Sequence, residues 1–185
     1  MIHENIKKAV SLTAFGYLFI FLNINLDFGN VSVNILPEWL GWLLLYFASL
    51  KLQNYIKERK YIIWFLLAMS IYTLALYLAS IMAPEFNISI LNALKSIFGA
   101  AASFLYLGVI CEIADEAGSV HSMALHNLRW FNAVISLILG ILALVIRNID
   151  TAAAIVIMFG SLIALAAMII TAVVLFRFRR EIKEL

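Results

Sequence analysis

The apolar residues of this chain fall into six long runs that are separated by short charged or polar segments. In order, the runs cover Ala9–Leu26, Trp39–Leu50, Ile62–Ala83, Ser96–Cys111, Trp130–Ile146 and Thr151–Phe176. A helix that spans a bilayer needs about 20 mainly apolar residues, and the longest of these runs meet that length. The pattern predicts an all-α polytopic membrane protein with six transmembrane helices in a single domain, residues 1–185.

One segment, Asn23–Trp39 (NINLDFGNVSVNILPEW), departs from this pattern because polar and apolar residues alternate in it. A period of two is typical of a β-strand, and Gly29-Asn30 fits the centre of a type II′ turn. The hairpin built on that turn pairs Phe28 with Val31, Leu26 with Val33, Ile24 with Ile35, Asp27 with Ser32 and Asn25 with Asn34. We therefore predict a short β-hairpin between helices 1 and 2, with one apolar and one polar face. The alternative is a first helix that continues to Leu26 and an irregular loop after it.

The composition decides the class of protein. Hydrophobic residues make up 65% of the chain and charged residues 13%, and the mean hydropathy is +1.02. Soluble domains are about half apolar and a quarter charged, so the composition indicates an integral membrane protein. The net charge of +2 is too small to indicate a nucleic-acid partner.

The basic residues are distributed unevenly between the two ends of the predicted helices. If the N-terminus is cytoplasmic, 11 of the 13 lie in cytoplasmic segments: Lys7, Lys8, Lys51, Lys57, Arg59, Lys60, Arg129, Arg177, Arg179, Arg180 and Lys183. Such a bias is typical of membrane proteins, whose cytoplasmic loops are enriched in Lys and Arg. We predict a multi-pass protein of the cell (plasma) membrane with both termini in the cytoplasm.

The hairpin affects how deeply the chain around it sits in the membrane. If helix 1 ends near Leu22, its uncharged part from Ala9 is about 21 Å long, and so is the stretch from Pro37 to Lys51. Both are short for a hydrocarbon core of about 30 Å. Either lysines at the cytoplasmic ends reach the interface, or the hairpin is partly re-entrant and its polar face lines a pocket that opens outwards.

Five polar residues near the outer face form a candidate ligand site: Asn25, Asp27, Asn34, Glu38 and Lys95. With helix 4 counted 20 residues back from Cys111, Lys95 lies three residues after the helix start. The simpler interpretation is that its ammonium group reaches the outer interface. The sharper one pairs it with Asp27 or Glu38, because opposite charges at that depth attract more strongly than in water. Such a site suits an anionic or zwitterionic ligand.

The largest cytoplasmic loop, Cys111–Arg129, carries weak candidates for a metal site: Glu112, Asp115, His121 and His126. The two histidines are five residues apart, whereas a spacing of four places two ligands on one helical face. The alternative is a solvated helix end followed by an amphipathic turn. No metal or cofactor is predicted.

Small residues form one face of helix 4 and one face of helix 6. The helix 4 face comprises Ser96, Gly99, Ala100 and Ser103, and the helix 6 face comprises Gly160, Ala164, Ala167 and Thr171. Small residues let helices approach closely in lipid. We expect packing within the chain first, and a homodimer or protein partner on these faces second. Asn132 and Ser136 on helix 5 are expected to make interhelical hydrogen bonds.

Residues 30–46 (NVSVNILPEWLGWLLLY) resemble a segment of small, uncharacterised multi-pass membrane proteins of Gram-positive bacteria. In those proteins a short Gly-containing turn leads into I-L-P, an acid, an aromatic residue and a glycine that open a helix. The corresponding residues are Ile35, Leu36, Pro37, Glu38, Trp39 and Gly41. The resemblance implies a bacterial membrane topology and no particular activity.

Three classes of function remain open. The first is a non-enzymatic binding or accessory protein, sensory, immunity-type or partner-associated, which needs only a stable bundle. The second is transport by a small-molecule or ion carrier whose outward-facing site lies at the hairpin, since short interrupted segments mark such sites. The third is an intramembrane enzyme that uses the loop between helices 4 and 5. The chain contains no phosphate-loop, zinc-protease or serine-hydrolase motif.

Overall fold

The computed structural model describes residues 2–21, 25–28, 31–34, 37–82, 89–145 and 151–182. Side chains are described for 3–20, 37–82, 90–142, 156 and 158–182. In chain order the elements are α1 (Ile2–Phe21), β1 (Asn25–Phe28), β2 (Val31–Asn34), α2 (Glu38–Lys51), α3 (Tyr61–Met82), α4 (Ser89–Glu116), α5 (Ser122–Val145) and α6 (Thr151–Glu181). The prediction of a helical protein with six helices is confirmed over this part of the chain.

Several helices extend beyond their apolar runs, and α4 and α5 do so on either side of the predicted loop between them. Helix α4 begins at Ser89 and ends at Glu116, and α5 begins at Ser122, eight residues before Trp130. The predicted loop Cys111–Arg129 is therefore wrong in extent, since only residues 117–121 separate the two helices. A helix does not need to stop where its apolar run stops, because polar residues outside the hydrocarbon continue the same backbone hydrogen bonds.

Within the described residues, four helices are long and apolar enough to cross a membrane. Their candidate spans are Tyr61–Met82, Ile90–Glu116, Ser122–Leu142 and Met158–Glu181. Of the two remaining helices, α1 is long enough but carries charged residues, and α2 is apolar but too short. The first two turns of α1 carry Glu4, Lys7 and Lys8, and α2 has 14 residues. Length and apolar composition thus identify a membrane protein through four of its six helices.

Between α1 and α2 the backbone forms a two-stranded antiparallel ladder. Its partners are Asn25 with Asn34, Leu26 with Val33, Asp27 with Ser32 and Phe28 with Val31. These are four of the five pairs that the alternation predicts. The fifth pair (Ile24 with Ile35), the Gly29-Asn30 turn and all strand side chains lie outside the described residues, so the structure gives the backbone register of this segment only.

The helices pack in chain order, and α6 returns onto α1. Helix α4 is the most enclosed of the four candidate spans, with 56% of its apolar window buried against 17–33% for the others. Two hydrogen bonds join it to α1: Tyr17 to Ser103 at 2.5 Å between their hydroxyl oxygens, and Thr13 to Tyr106 at 2.7 Å. Helix α4 therefore lies along the inside of the bundle.

The apolar core fills mainly the half of the bundle that holds both chain ends. Helix α3 contributes Ile62, Leu66 and Met69 from its first half, α4 contributes Ala102–Ala114 from its second half, and α6 contributes its last turns. Antiparallel packing places all of these segments at the same end. We call this end the packed end, and the end nearest the β1–β2 pair the opposite end.

Helices α1 and α2 approach each other so closely that their backbones touch. A Cβ atom built on Gly41 would lie 2.6 Å from the carbonyl oxygen of Gly16 and 2.8 Å from the backbone nitrogen of Ile20. Glycine at these positions permits the contact, as small residues do at helix crossings in lipid. The contact fixes the first turn of α2 against α1.

We expect Gly41→Ala to destabilise the bundle by about 1–3 kcal/mol, because the added methyl group meets backbone atoms that have no room to move. Thermal unfolding of the purified protein in detergent measures the effect. The matched control is Gly140→Ala, whose Cβ would meet side-chain atoms of Ser96 and Ile97 at 3.2 Å and its nearest backbone atom, the carbonyl oxygen of Ala93, at 3.5 Å. Equal unfolding midpoints for the two variants would contradict the close approach of α1 and α2.

Candidate functional site

An ion pair joins the beginnings of α2 and α4. Pro37 precedes α2 in an extended conformation (φ −68°, ψ 131°), so the first helical residue is Glu38. The Lys95 ammonium nitrogen lies 2.6 Å from Glu38 Oε2, and the indole nitrogen of Trp42 donates to Glu38 Oε1 at 3.2 Å. The carboxylate therefore has a partner on each oxygen. The sharper interpretation, which pairs Lys95 with Asp27 or Glu38, is confirmed for Glu38.

The position of Lys95 corrects the sequence-based estimate of its depth. Because α4 begins at Ser89, Lys95 is six residues into the helix, which corresponds to about 9 Å along the axis. Glu38 at the first position of α2 complements the dipole of that helix, whereas Lys95 lies beyond the first turn of α4, where the dipole effect has fallen off. With side-chain exposures of only 23% for Lys95 and 17% for Glu38, each charge depends on the other for stabilisation.

The ion pair lies on the wall of a cavity of about 600 Å³. Five helices line this central cavity, with Tyr17, Ile20, Glu38, Trp42, Lys95, Ser96, Gly99, Ala100, Ser103, Ser136, Leu139, Met158, Ser161, Leu162, Ala164, Leu165 and Met168. Most of the wall is apolar, and four serine hydroxyls and the two charges interrupt it. Its volume falls in the range of small-molecule sites, which combine apolar walls with a few polar groups.

Hydroxyl pairs form the floor of the central cavity. Tyr17 and Ser103 line it and bond to each other at 2.5 Å. One turn closer to the packed end, Thr13 donates to the carbonyl oxygen of Ala9 at 2.8 Å. Its single proton is then committed, so Tyr106 donates to Thr13 Oγ1. Both Thr13 and Tyr106 are fully buried, and the floor is therefore closed.

The structure assembles part of the predicted ligand site. Glu38 and Lys95 meet, whereas the side chains of Asn25, Asp27 and Asn34 lie outside the described residues. Their backbones belong to β1 and β2, in the segment that leads into Glu38. Whether those three contribute to the cavity stays a prediction.

Several lining residues were not predicted from the sequence. Trp42 follows Glu38 by one helical turn, and that spacing is a signal for the hydrogen bond between them. Ser136 was predicted to bond to another helix, and it lines the central cavity. Tyr17 and Ser161 sit in uniformly apolar runs, where no sequence pattern distinguishes an inward from an outward position.

The four weak metal candidates do not form one group. Glu112 pairs with Arg59 at 2.6 Å, Asp115 contacts His126 at 3.0 Å, and His121 lies 3.4 Å from a Glu181 oxygen. Among the described residues there is no cluster of three or more His, Cys, Asp or Glu side chains placed to hold a metal ion. The four candidates are therefore not assembled into one metal site: Glu112 and His121 pair with residues of other segments, and Asp115 and His126 pair with each other.

These pairs connect the helices at the packed end instead. Ser119 and His121 both contact the carboxylate of Glu181 on α6. Asp115 on α4 accepts hydrogen bonds from Ser122 and His126 on α5. The α4–α5 connection is thus tied to the end of α6, and Asp115 joins the end of α4 to the beginning of α5.

The small-residue faces of α4 and α6 pack inside the bundle. Ala100, Ala164 and Ala167 are buried, and a Cβ on Gly99 would lie 3.2 Å from the Trp42 ring. Thr171 accepts a hydrogen bond from the Asn132 side chain at 2.8 Å. The expectations of intramolecular packing and of an interhelical bond from Asn132 are confirmed, and a homodimer on these faces stays a prediction.

Comparison of the chain with protein-family models finds no match, and the same is true for curated proteins and for solved structures.

We expect Lys95→Met to destabilise the protein by about 1.5–3 kcal/mol, because it leaves a shielded carboxylate without its strongest partner. The double variant Glu38→Gln/Lys95→Met should be less destabilised than the sum of the single variants, with a coupling of about 1 kcal/mol or more. Thermal unfolding in detergent measures the stability of the two single variants and of the double variant. Lys57→Met, at an exposed position of the α2–α3 connection, is the control. Strict additivity would show that the ion pair contributes nothing.

Proposed function

We propose that this protein crosses the plasma membrane six times, with both termini cytoplasmic, and binds a small zwitterionic ligand from the outside in its central cavity. It acts as a non-enzymatic binding or accessory protein. The observation that carries the proposal is the Glu38–Lys95 ion pair on the wall of an otherwise mainly apolar cavity.

The proposed orientation is supported by the distribution of charge. Lys7 on α1 and Arg179 on α6 line one small pocket, and Arg59 pairs with Glu112 close to the end of α4. All of these belong to the packed end, which therefore corresponds to the cytoplasmic side under the positive-inside rule. The resemblance of residues 30–46 to Gram-positive membrane proteins supports a bacterial plasma membrane.

The chemistry of the ion pair suits a ligand that carries both an ammonium and an acid group. If Glu38 and Lys95 separate, the carboxylate receives the ligand's ammonium and the Lys95 ammonium receives its acid group. The ligand thereby replaces one ion pair with two, so no charge is left unpaired at a site where unpaired charges are unfavourable. Leu139, Leu162 and Met168 offer an apolar surface to the rest of the ligand.

The closed floor favours binding over transport. Below Tyr17 and Ser103 the bundle is filled by buried apolar side chains such as Val10, Leu107 and Leu175. A ligand that enters from the opposite end has no open path to the packed end. This arrangement suits a protein that senses or presents a ligand, or responds to it with a partner.

A carrier is the second candidate. The hydroxyl pairs Tyr17–Ser103 and Thr13–Tyr106 continue a polar line from the cavity towards the packed end. In a carrier these bonds would break as α1 and α4 separate, which would open the site to the cytoplasm. Uptake of labelled phenylalanine into liposomes that contain the purified protein distinguishes a carrier from a binding protein.

We expect phenylalanine, as a zwitterion with an apolar body, to raise the thermal unfolding midpoint of the purified protein by several degrees. A ligand at 100 times its Kd stabilises the folded state by about 2.7 kcal/mol. Phenylalanine amide and 3-phenylpropanoate each lack one charge and should have little effect, and Lys95→Met should abolish the shift. Equal shifts with all three compounds, or none with phenylalanine, would contradict the proposal.

The orientation and the opening of the cavity can be tested with cysteine variants in a Cys111→Ala background, which removes the one native cysteine. A charged, impermeant methanethiosulfonate reagent added to intact cells should modify Ser136→Cys, which faces the cavity. Ser49→Cys, fully buried near the packed end, is the matched control and should not react. Reaction of Ser136→Cys only after the membrane is opened would contradict an outward-facing site.

A further inference from the structure

A second, smaller cavity of about 250 Å³ lies at the packed end between α1 and α6. Three basic side chains and one aromatic ring line it: Lys7, Arg179, Arg180 and Phe176. The three cations come from two helices that are distant in sequence, so the fold itself creates this concentration of positive charge. Among the described residues that line it there is no carboxylate. An anion would therefore meet attraction from both helices.

The side-chain Nε–H group of Arg179 is a candidate donor for a bound anion. Its Nε is buried and has no hydrogen-bond partner among the described residues. A buried donor without an acceptor is unfavourable by an amount comparable to a lost hydrogen bond, and more so when the donor is charged. Guanidinium groups bind phosphate and carboxylate through paired N–H donors. The geometry thus favours a planar or tetrahedral oxyanion in this cavity.

The surroundings of the cavity indicate that the oxyanion is attached to an apolar molecule. Phe176 packs edge-on against Phe15 of α1, with ring centroids 5.3 Å apart. Phe15 and, on α6, Val173 and Ile170 are exposed on the outside of the bundle. An apolar surface thus leads along α1 and α6 directly to the three cations. Acyl chains can lie on this surface while a headgroup occupies the cavity.

We propose that this basic cavity binds the phosphate of an anionic phospholipid from the cytoplasmic leaflet. Basic pockets between helices at the cytoplasmic surface are suited to such headgroups. The lipid phosphate would accept hydrogen bonds from Arg179 and Arg180 and lie close to Lys7, while its acyl chains cover Phe15 and Phe176. The site is separate from the central cavity and needs no ligand there.

Native mass spectrometry of the full-length protein in detergent, titrated with phosphatidylglycerol, tests this proposal. Each Lys or Arg near an anionic lipid surface contributes about 1 kcal/mol of binding free energy. Removing one cation should therefore raise the Kd of the first bound lipid about five-fold. We expect that loss for Arg179→Gln and for Arg180→Gln. The matched control is Arg177→Gln, which removes the same charge from the same helix at an exposed position that does not line the cavity.

Three outcomes would overturn the proposal. In the first, Arg177→Gln weakens lipid binding as much as the two cavity variants, which would indicate a general effect of charge. In the second, zwitterionic phosphatidylcholine occupies the first site as tightly as phosphatidylglycerol. In the third, millimolar inorganic phosphate displaces the lipid from the wild-type protein, which would assign the site to a free phosphate. Arg180 is exposed, so its variant keeps the test valid if Arg179→Gln does not fold.

Discussion

Glu38 and Lys95 compensate each other's charge. The half of the bundle nearest the β1–β2 pair depends on this ion pair. Each lies near the start of a helix, is mostly shielded from solvent, and has the other at 2.6 Å. Neither charge is favourable there alone. The pair holds the beginnings of α2 and α4 together, and the contact of Gly41 with Gly16 fixes α2 against α1. The wall of the central cavity that carries both charges depends on these two contacts.

The two ends of the bundle differ in how they are filled. At the packed end, apolar side chains fill the centre of the bundle, and pairs such as Arg59 with Glu112 join its helices. Towards the opposite end, small residues on α4 and serines on α5 and α6 leave the central cavity open. Buried hydroxyl pairs between α1 and α4 separate the two regions. One end therefore supplies stability, while the other retains space and polar groups, as expected of a site that receives a ligand.

The sequence predicted the six helices, because long apolar runs are strong signals in lipid. It also offered pairing with Asp27 or Glu38 as one of two interpretations of Lys95, and the structure shows Glu38 as the partner. It failed where polar residues continue a helix: α5 begins at Ser122, although the apolar run begins at Trp130. It also missed Tyr17 and Ser161 as lining residues. In a helix whose apolar residues surround it on all sides, periodicity does not show which face points inwards. The partners of the four weak metal candidates were also missed, because spacing along the chain cannot show that Arg59 and Glu181, from other segments, pair with Glu112 and His121.

We infer that two opposite charges, and not either residue by itself, hold together the half of the bundle that surrounds the central cavity. A charge reversal tests it most directly. The thermal unfolding midpoint would be measured for Glu38→Lys, for Lys95→Glu and for the protein with both changes. Each single reversal places like charges together, so both should lower the midpoint. The double reversal restores an opposite pair and should regain most of the loss, short of the part due to a cation at the start of α2. A double variant no more stable than the weaker single variant would contradict the account.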